Sequence, residues 1–320
     1  MAEIAVTTVG RSGRRVRGPW ALRRGTWWAV LRRTVSTLWN DDLTDRAASL
    51  TYYSVISLLP GVVVVSALLG LAGPSATRSL IDTITELGYG GDNSVSIQVL
   101  EELQSARALA GPAAIVGLVT ALWTASGYIG AFVRAINAVY DTEEGRPLWK
   151  TVPLQIALTV ALVVLVVVCA GGVVLSGRVA EVIGRWLGFG PAAVGVWGVA
   201  KWPVLALLVS VVIALLYWAA PNARQLGLRW LTPGSVFAVA LWIAASAGFA
   251  FYVAHFGSYN KVYGSLAGAV VFLVWMWLSN VAILLGAKLD AELARGRHIE
   301  QGGDPDTTPI LPHRDAPDTD

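Results

Sequence analysis

The sequence predicts an all-α polytopic membrane protein: a six-span transmembrane helix bundle with an N-terminal interfacial amphipathic helix. Three observations carry this reading. Of the 320 residues, 55% are hydrophobic and only 14% are charged, against roughly 25% charged in a soluble domain. Mean hydropathy is +0.60. The apolar residues also gather into six runs, each near the ~20 residues needed to cross the hydrocarbon.

Residues 1–19 are basic and Gly-rich and read as a disordered N-terminus. Residues 1–26 hold six arginines but no apolar core of the length a signal peptide requires, so the first span is expected to act as the insertion signal. Over 20–43 the arginines Arg23, Arg24, Arg32 and Arg33 alternate with Trp27, Trp28, Val30, Leu31, Val35, Leu38 and Trp39. That pattern predicts a basic amphipathic helix. It has two readings, a helix in the headgroup layer favouring anionic lipids or a juxtamembrane helix packed on its own bundle.

The first span, 47–73, has two unlike halves. From Val62 to Ala72 it is nearly all aliphatic; from Ser49 to Pro60 it carries hydroxyls on every side and a proline. Pro60 has no N–H, so the Ile56 carbonyl loses its helical donor and in lipid needs another. Ser57, Ser54, a neighbouring helix or water can serve. One reading is a kinked helix whose cytoplasmic half faces protein or a wet cavity. The other is that Ser, Thr and Pro simply aid packing.

The remaining spans are expected at 111–139, 151–176, 197–220, 233–256 and 265–287. An acidic loop, 74–110, holds Asp82, Glu86, Asp92, Glu101 and Glu102, with a short helix expected over 94–109. A second short helix is expected around 178–187. Thr232-Pro233 reads as a helix start, threonine as cap and proline in the first turn. Residues 20–295 form the membrane domain. The acidic, Pro-rich tail 296–320 reads as disordered.

Orientation follows from the basic residues. The N-terminus, the 140–150 and 221–231 turns and the C-terminus hold seventeen Lys and Arg; the opposite loops hold five. Both termini are therefore expected in the cytoplasm, with the protein multi-pass in a bacterial inner membrane.

Polar residues inside the spans are the candidate functional set. Thr120, Thr124, Gly127, Ala131 and Arg134 share one face of the second span. An intramembrane arginine is costly unless it pairs or snorkels. Arg134 either snorkels or joins a cytoplasmic-side network of Asn137, Asp141, Asp45, Arg46 and Asp290. In the sixth span Gly264-Ser265-Leu266-Ala267-Gly268 has the small-residue spacing of a close helix contact, and Asn280 needs partners within the bundle. Ser54, Ser57, Pro60, Thr124, Arg134, Asn137, Asp141 and Asn280 are thus the candidate polar path or hinge. The single cysteine, Cys169, and His255, His298 and His313 give no metal or disulfide pattern. No cofactor is expected.

Several motifs resemble the YihY/BrkB family of bacterial inner-membrane proteins. They are Ala47-Ala48-Ser49-Leu50-Thr51-Tyr52-Tyr53-Ser54 with Ser57-Leu58-Leu59-Pro60, and Trp123-Thr124-Ala125-Ser126 leading to Arg134-Ala135-Ile136-Asn137-Ala138-Val139-Tyr140-Asp141. Further matches are Pro221-Asn222, Pro233-Gly234-Ser235, Gly257-Ser258-Tyr259-Asn260, Tyr263-Gly264-Ser265-Leu266 and Gly286-Ala287-Lys288-Leu289-Asp290-Ala291-Glu292-Leu293. The resemblance covers about residues 30–295 and implies a six-span bundle. The family was formerly labelled ribonuclease BN; some members are linked to serum resistance and some to export of lipid A precursors. It brings no catalytic residues.

Three functions are weighed. A transporter or exporter of a lipid-like or amphipathic envelope substrate needs only a polar path and a helix that changes shape. A nuclease or other hydrolase needs clustered carboxylates or a His pair. The acids Asp41, Asp42, Asp45, Asp141, Glu143, Glu144, Asp290 and Glu292 instead lie in Arg- and Lys-rich flanks. Ribonuclease activity and nucleic acid as a partner are therefore not expected. A non-catalytic scaffold for envelope machinery is the alternative. Membrane lipids are the expected partners, with anionic headgroups near Arg23, Arg24, Arg32 and Arg33; the sequence gives no oligomeric state.

Overall fold

The computed structural model describes residues 18–40, 42–72, 112–174, 191–225, 227–255, 265–309 and 311–316. They form a short 3-10 turn, Pro19–Ala21, and seven α-helices: α1 (Arg24–Asn40), α2 (Leu43–Ala72), α3 (Pro112–Val139), α4 (Leu148–Val174), α5 (Pro191–Ala219), α6 (Leu228–His255) and α7 (Ser265–Glu300). Among the described residues four helices are long and apolar enough to cross a membrane, over Leu148–Cys169, Val199–Ala219, Pro233–Val253 and Gly268–Glu300. The 74–110 loop, the short helices expected over 94–109 and around 178–187, and the Gly264 end of the small-residue motif lie outside the described residues.

Helices α2 to α7 close into a ring. Each packs on the next in sequence, α7 returns to α2, and α7 also touches α3. The buried side chains concentrate at one end of this ring. They include Leu50 on α2, Ile129, Phe132 and Ile136 on α3, Tyr217 on α5, Ala238 on α6 and Leu284 on α7. Both described termini and the α3–α4 and α5–α6 connections meet at that end.

Helix α1 packs on the last turns of α7. Val30 and Leu22 bury against Leu289 and Leu293, with Trp27 and Leu31 alongside. Arg33 Nε lies 2.9 Å from Glu292 Oε2, and Glu300 accepts from the Arg23 N–H at 2.8 Å and the Thr26 hydroxyl at 2.6 Å. A carboxylate at the first turn also suits the helix dipole. Trp20 and Trp28 stay exposed, as do Arg24 and Arg32.

Two boundaries differ from the sequence reading. Helix α6 begins at Leu228, so Pro233 lies inside it rather than in its first turn; packing of α6 on α5 and α7 carries the helix past the proline. Helix α7 runs to Glu300 and ends where Gly302 adopts φ +90°, a left-handed stop that glycine takes without strain. Beyond it the tail is not free. Leu311 is buried, Ala223 and His313 pair as an antiparallel bridge, and the Arg224 N–H donates to Pro312 O at 2.8 Å. Composition suggested disorder from 296 onward, but these backbone groups find partners in the α5–α6 connection.

Candidate functional site

Three helices meet at Asn280. Its amide donates to Thr51 Oγ1 of α2 at 3.1 Å and to Met276 O at 3.1 Å, and its carbonyl accepts from the Tyr128 hydroxyl of α3 at 3.1 Å. Asn280 and Thr51 are buried, and the amide's hydrogens are both used, as a buried amide requires. One turn outward, the Ser57 hydroxyl lies 2.8 Å from Tyr53 O and 3.0 Å from Thr124 O, tying α2 to α3. Thr124 donates to Thr120 O and Ala121 O, and Ser54 to Leu50 O; both satisfy their own helix. Gly127 faces Tyr53, and a Cβ there would meet its ring at an ordinary contact of 3.8 Å. Pro60 lies within α2, but its side chain is outside the described residues.

A second set of ties joins the α3–α4 turn, the α5–α6 connection and the tail. Asp141 ends α3 with φ +51°, a left-handed conformation that Asp tolerates better than most residues. Asn137 donates to Glu144 Oε2 at 2.9 Å and accepts the Asn222 N–H at 2.7 Å. The Asn222 amide donates to Glu143 O at 3.0 Å and Asp315 O at 2.7 Å, while the Asp315 N–H returns to Asn222 Oδ1 at 3.1 Å. Arg146 grips Glu144 with two bonds of 2.6 Å and reaches Ala220 O at 2.8 Å. Burial pushes the Glu144 carboxyl up, but hydrogen bonds from the Arg146 side chain and backbone, its charge and the Asn137 amide hold it below the usual range. Arg314 donates to Ala223 O and Trp218 O and lies over the Trp218 ring. Burial, then the Arg146 charge, lowers the Arg314 pKa. Lys150 Nζ pairs with Asp315 at 2.7 Å. Gly145 has no room for a side chain, since a Cβ would meet the Ala316 backbone at 2.5 Å.

The single network expected around Arg134 is not what the structure builds. Arg134 is exposed, with its guanidinium beside Gly130 and Gln155 at the α4 side of its helix. Its long side chain reaches out from the bundle, which avoids burying a charge. Asp141 pairs instead with Arg295 of α7 at 3.4 Å. Asp45 is exposed. Asp290 is buried at 3% exposure and accepts the Gly234 N–H of α6 at 2.8 Å. Asn137, Asp141 and Asp290 therefore each serve a different contact.

Sequence reasoning missed Asn222, Arg314 and Asp315 as partners, and Gly234 and Gly286 as a close helix crossing. The only signals were Pro221-Asn222 after a span and glycines facing each other from two helices. Among the described residues no three His, Cys, Asp or Glu side chains gather as a metal site would require.

A ring of long apolar helices tied by polar clamps at one end defines a polytopic α-helical membrane protein. The chain belongs to the BrkB family: the model for virulence factor BrkB matches residues 34–310. It is 31% identical over 255 residues to a ribonuclease-like protein, YfkH, of Bacillus subtilis (strain 168), covering 80% of this chain and 91% of the relative. A UPF0761 membrane protein of Pseudoalteromonas translucida is 28% identical over 277 residues, 83% of this chain and 85% of the relative. One from Tolumonas auensis is 27% identical over 260 residues, 80% and 82%. No solved structure matches.

Proposed function

We propose that this protein is a transporter or exporter of a lipid-like, amphipathic envelope substrate. It would sit in the bacterial inner membrane with α2 to α7 as six spans and both termini in the cytoplasm. One observation carries the proposal: away from the clamped end the helices are exposed over runs of successive residues. These runs are 202–204 on α5, 242–244 and 250–252 on α6, and 268–270 on α7. Three successive residues sweep about 200° of a helix at 3.6 residues per turn, more than one lipid-facing stripe accounts for. The surfaces left open are apolar, with Trp202, Val204, Trp242, Ile243, Phe251, Tyr252 and Val270 among them, chemistry that suits acyl chains. Trp28, Arg24 and Arg32 on α1 would meet anionic headgroups. Pro60 would supply the hinge, since changes of shape concentrate at a few positions. Hydrolytic chemistry has no part in this reading.

The test is reconstitution into vesicles holding a fluorescent phospholipid, with its passage between leaflets followed in time. Passage faster than in protein-free vesicles is expected, slowed by Pro60→Ala while heat stability in detergent is kept. Correctly folded protein that moves no lipid would hand the function to the scaffold reading. Cysteine labelling at positions 10, 90 and 310 checks the topology: 10 and 310 should react from the cytoplasmic side and 90 from the other.

A further inference from the structure

Helices α6 and α7 cross most closely at Gly234 and Gly286. A Cβ on Gly234 would stand 2.3 Å from Gly286 O and 2.4 Å from the Asp290 carboxyl; one on Gly286 would stand 2.5 Å from Gly234 O. A carboxyl is thus wedged into a backbone-to-backbone contact. Its Oδ1 accepts the Gly234 N–H. Its Oδ2 is buried and, among the described residues, has no hydrogen-bond partner.

Among the described residues no cation pairs with its Oδ2. From the α3–α4 turn comes Tyr140, buried, with the Gln225 side chain beside its hydroxyl. Burial pushes that hydroxyl well above its usual range, and a charge on Asp290 would push it further. From α5 comes Tyr217, whose hydroxyl lies 2.7 Å from where a Gly286 Cβ would stand and donates to Ile283 O. α6 offers the Gly234 N–H. Of the cations at this end, Arg33 and Lys288 pair with Glu292, Arg295 with Asp141, and Arg146 with Glu144.

An ionised carboxylate buried without a cation is strongly disfavoured, and such a group neutralises instead. A metal ion would need a shell of oxygens, and one free carboxylate oxygen beside one hydroxyl falls short of that. We propose that Asp290 is a proton-binding site: Oδ2 carries a proton while α6 and α7 are closed, and releases it to water when the two helices part. This rests on the transport reading, for which it names the coupling ion. Protonation would hold the clamped end shut, and loss of the proton would leave a bare charge at a glycine contact and favour opening.

Infrared titration of the purified full chain tests the site without any transport assay. At neutral pH the wild type should show a protonated-carboxyl stretch that shifts when aspartate is labelled with carbon-13. The band should fade as pH rises and be missing from Asp290→Asn. Asparagine keeps the acceptor for Gly234 and has the shape of the neutral acid, so the variant should fold. If it does not, the labelled wild type still decides. Absence of the band, its survival in Asp290→Asn, or its response to sodium at fixed pH would overturn the proposal. In vesicles, lipid passage by the wild type should depend on pH and that by Asp290→Asn should not. A titrating band with no lipid passage would keep the proton site and discard the transport reading.

Discussion

Along α6 and α7 the same residue type meets two environments. Gly234 and Gly286 lie at the clamped end, where an added Cβ would fall within 2.5 Å of the facing backbone. Gly248 and Gly268 lie toward the other end, where nothing stands within 4 Å. One pair of glycines is required by close approach; the other is not. The same division holds for the polar residues. Asn280, Asn222 and Arg146 tie elements together at the clamped end, whereas the far half of the described helices shows mostly apolar surface. Packed backbone with satisfied polar groups resists deformation, and loosely contacted helices repack at little cost. Any change of shape is therefore expected in the far half first, and at the clamped end only once Asp290 has lost its proton.

The largest effect should come from exchanging the two glycine environments. Gly286→Ala forces methyl against backbone and should cost about 2–3 kcal/mol, read as a lower melting temperature in detergent. Gly248→Ala should cost nothing. Equal melting temperatures would erase the contrast.

Next come two arginines. Arg146→Leu leaves Glu144 without its cation and Ala220 O without a donor. A fully buried pair would lose more, but Glu144 keeps some water contact, so about 2 kcal/mol is expected. The exposed Arg134→Leu should stay within about 0.5 kcal/mol of wild type. Chemical denaturation of both variants decides this; a larger loss at Arg134 would restore the network the sequence suggested.

Asn222→Ala removes the amide that joins the α3–α4 turn to the tail. It should cost about 1–2 kcal/mol and, more tellingly, expose the residues after Glu300 to limited proteolysis. An uncut tail would mean that the Ala223–His313 bridge and the Lys150–Asp315 pair suffice alone.

The smallest effect concerns pH. Because the folded Glu144 carboxyl is held below its ordinary range, its contribution is present above the unfolded pKa and is lost as pH falls through the folded one. Acidification below the usual glutamate range should loosen the tail in the wild type. Glu144→Gln should show the same looseness at neutral pH and a smaller further change in acid, through the Lys150–Asp315 pair alone.

Helix positions were legible because apolar runs near the membrane's thickness leave the backbone few alternatives to helix. Each of the six expected spans overlaps a described helix, with α7 running thirteen residues past its expected end. Asn280 was also legible, because a lone amide in an apolar run must find partners. Pairing was not. Arg134 shares a helical face with Thr124 and Gly127, yet a long side chain turns to where its charge is cheapest. Asn137 and Asp141 are four residues apart but bond to different elements.

Local periodicity by itself therefore determined the all-α membrane class, the helices and the inventory of polar residues that had to be satisfied. Only the tertiary structure decided who satisfies whom. The ring brings Asp290 onto Gly234, 56 positions away in sequence, and lays a tail of disordered composition onto Asn222, 93 positions from Asp315. Such contacts depend on helix rotation and on backbone approach at glycine, and neither is written in the spacing of residues along one helix.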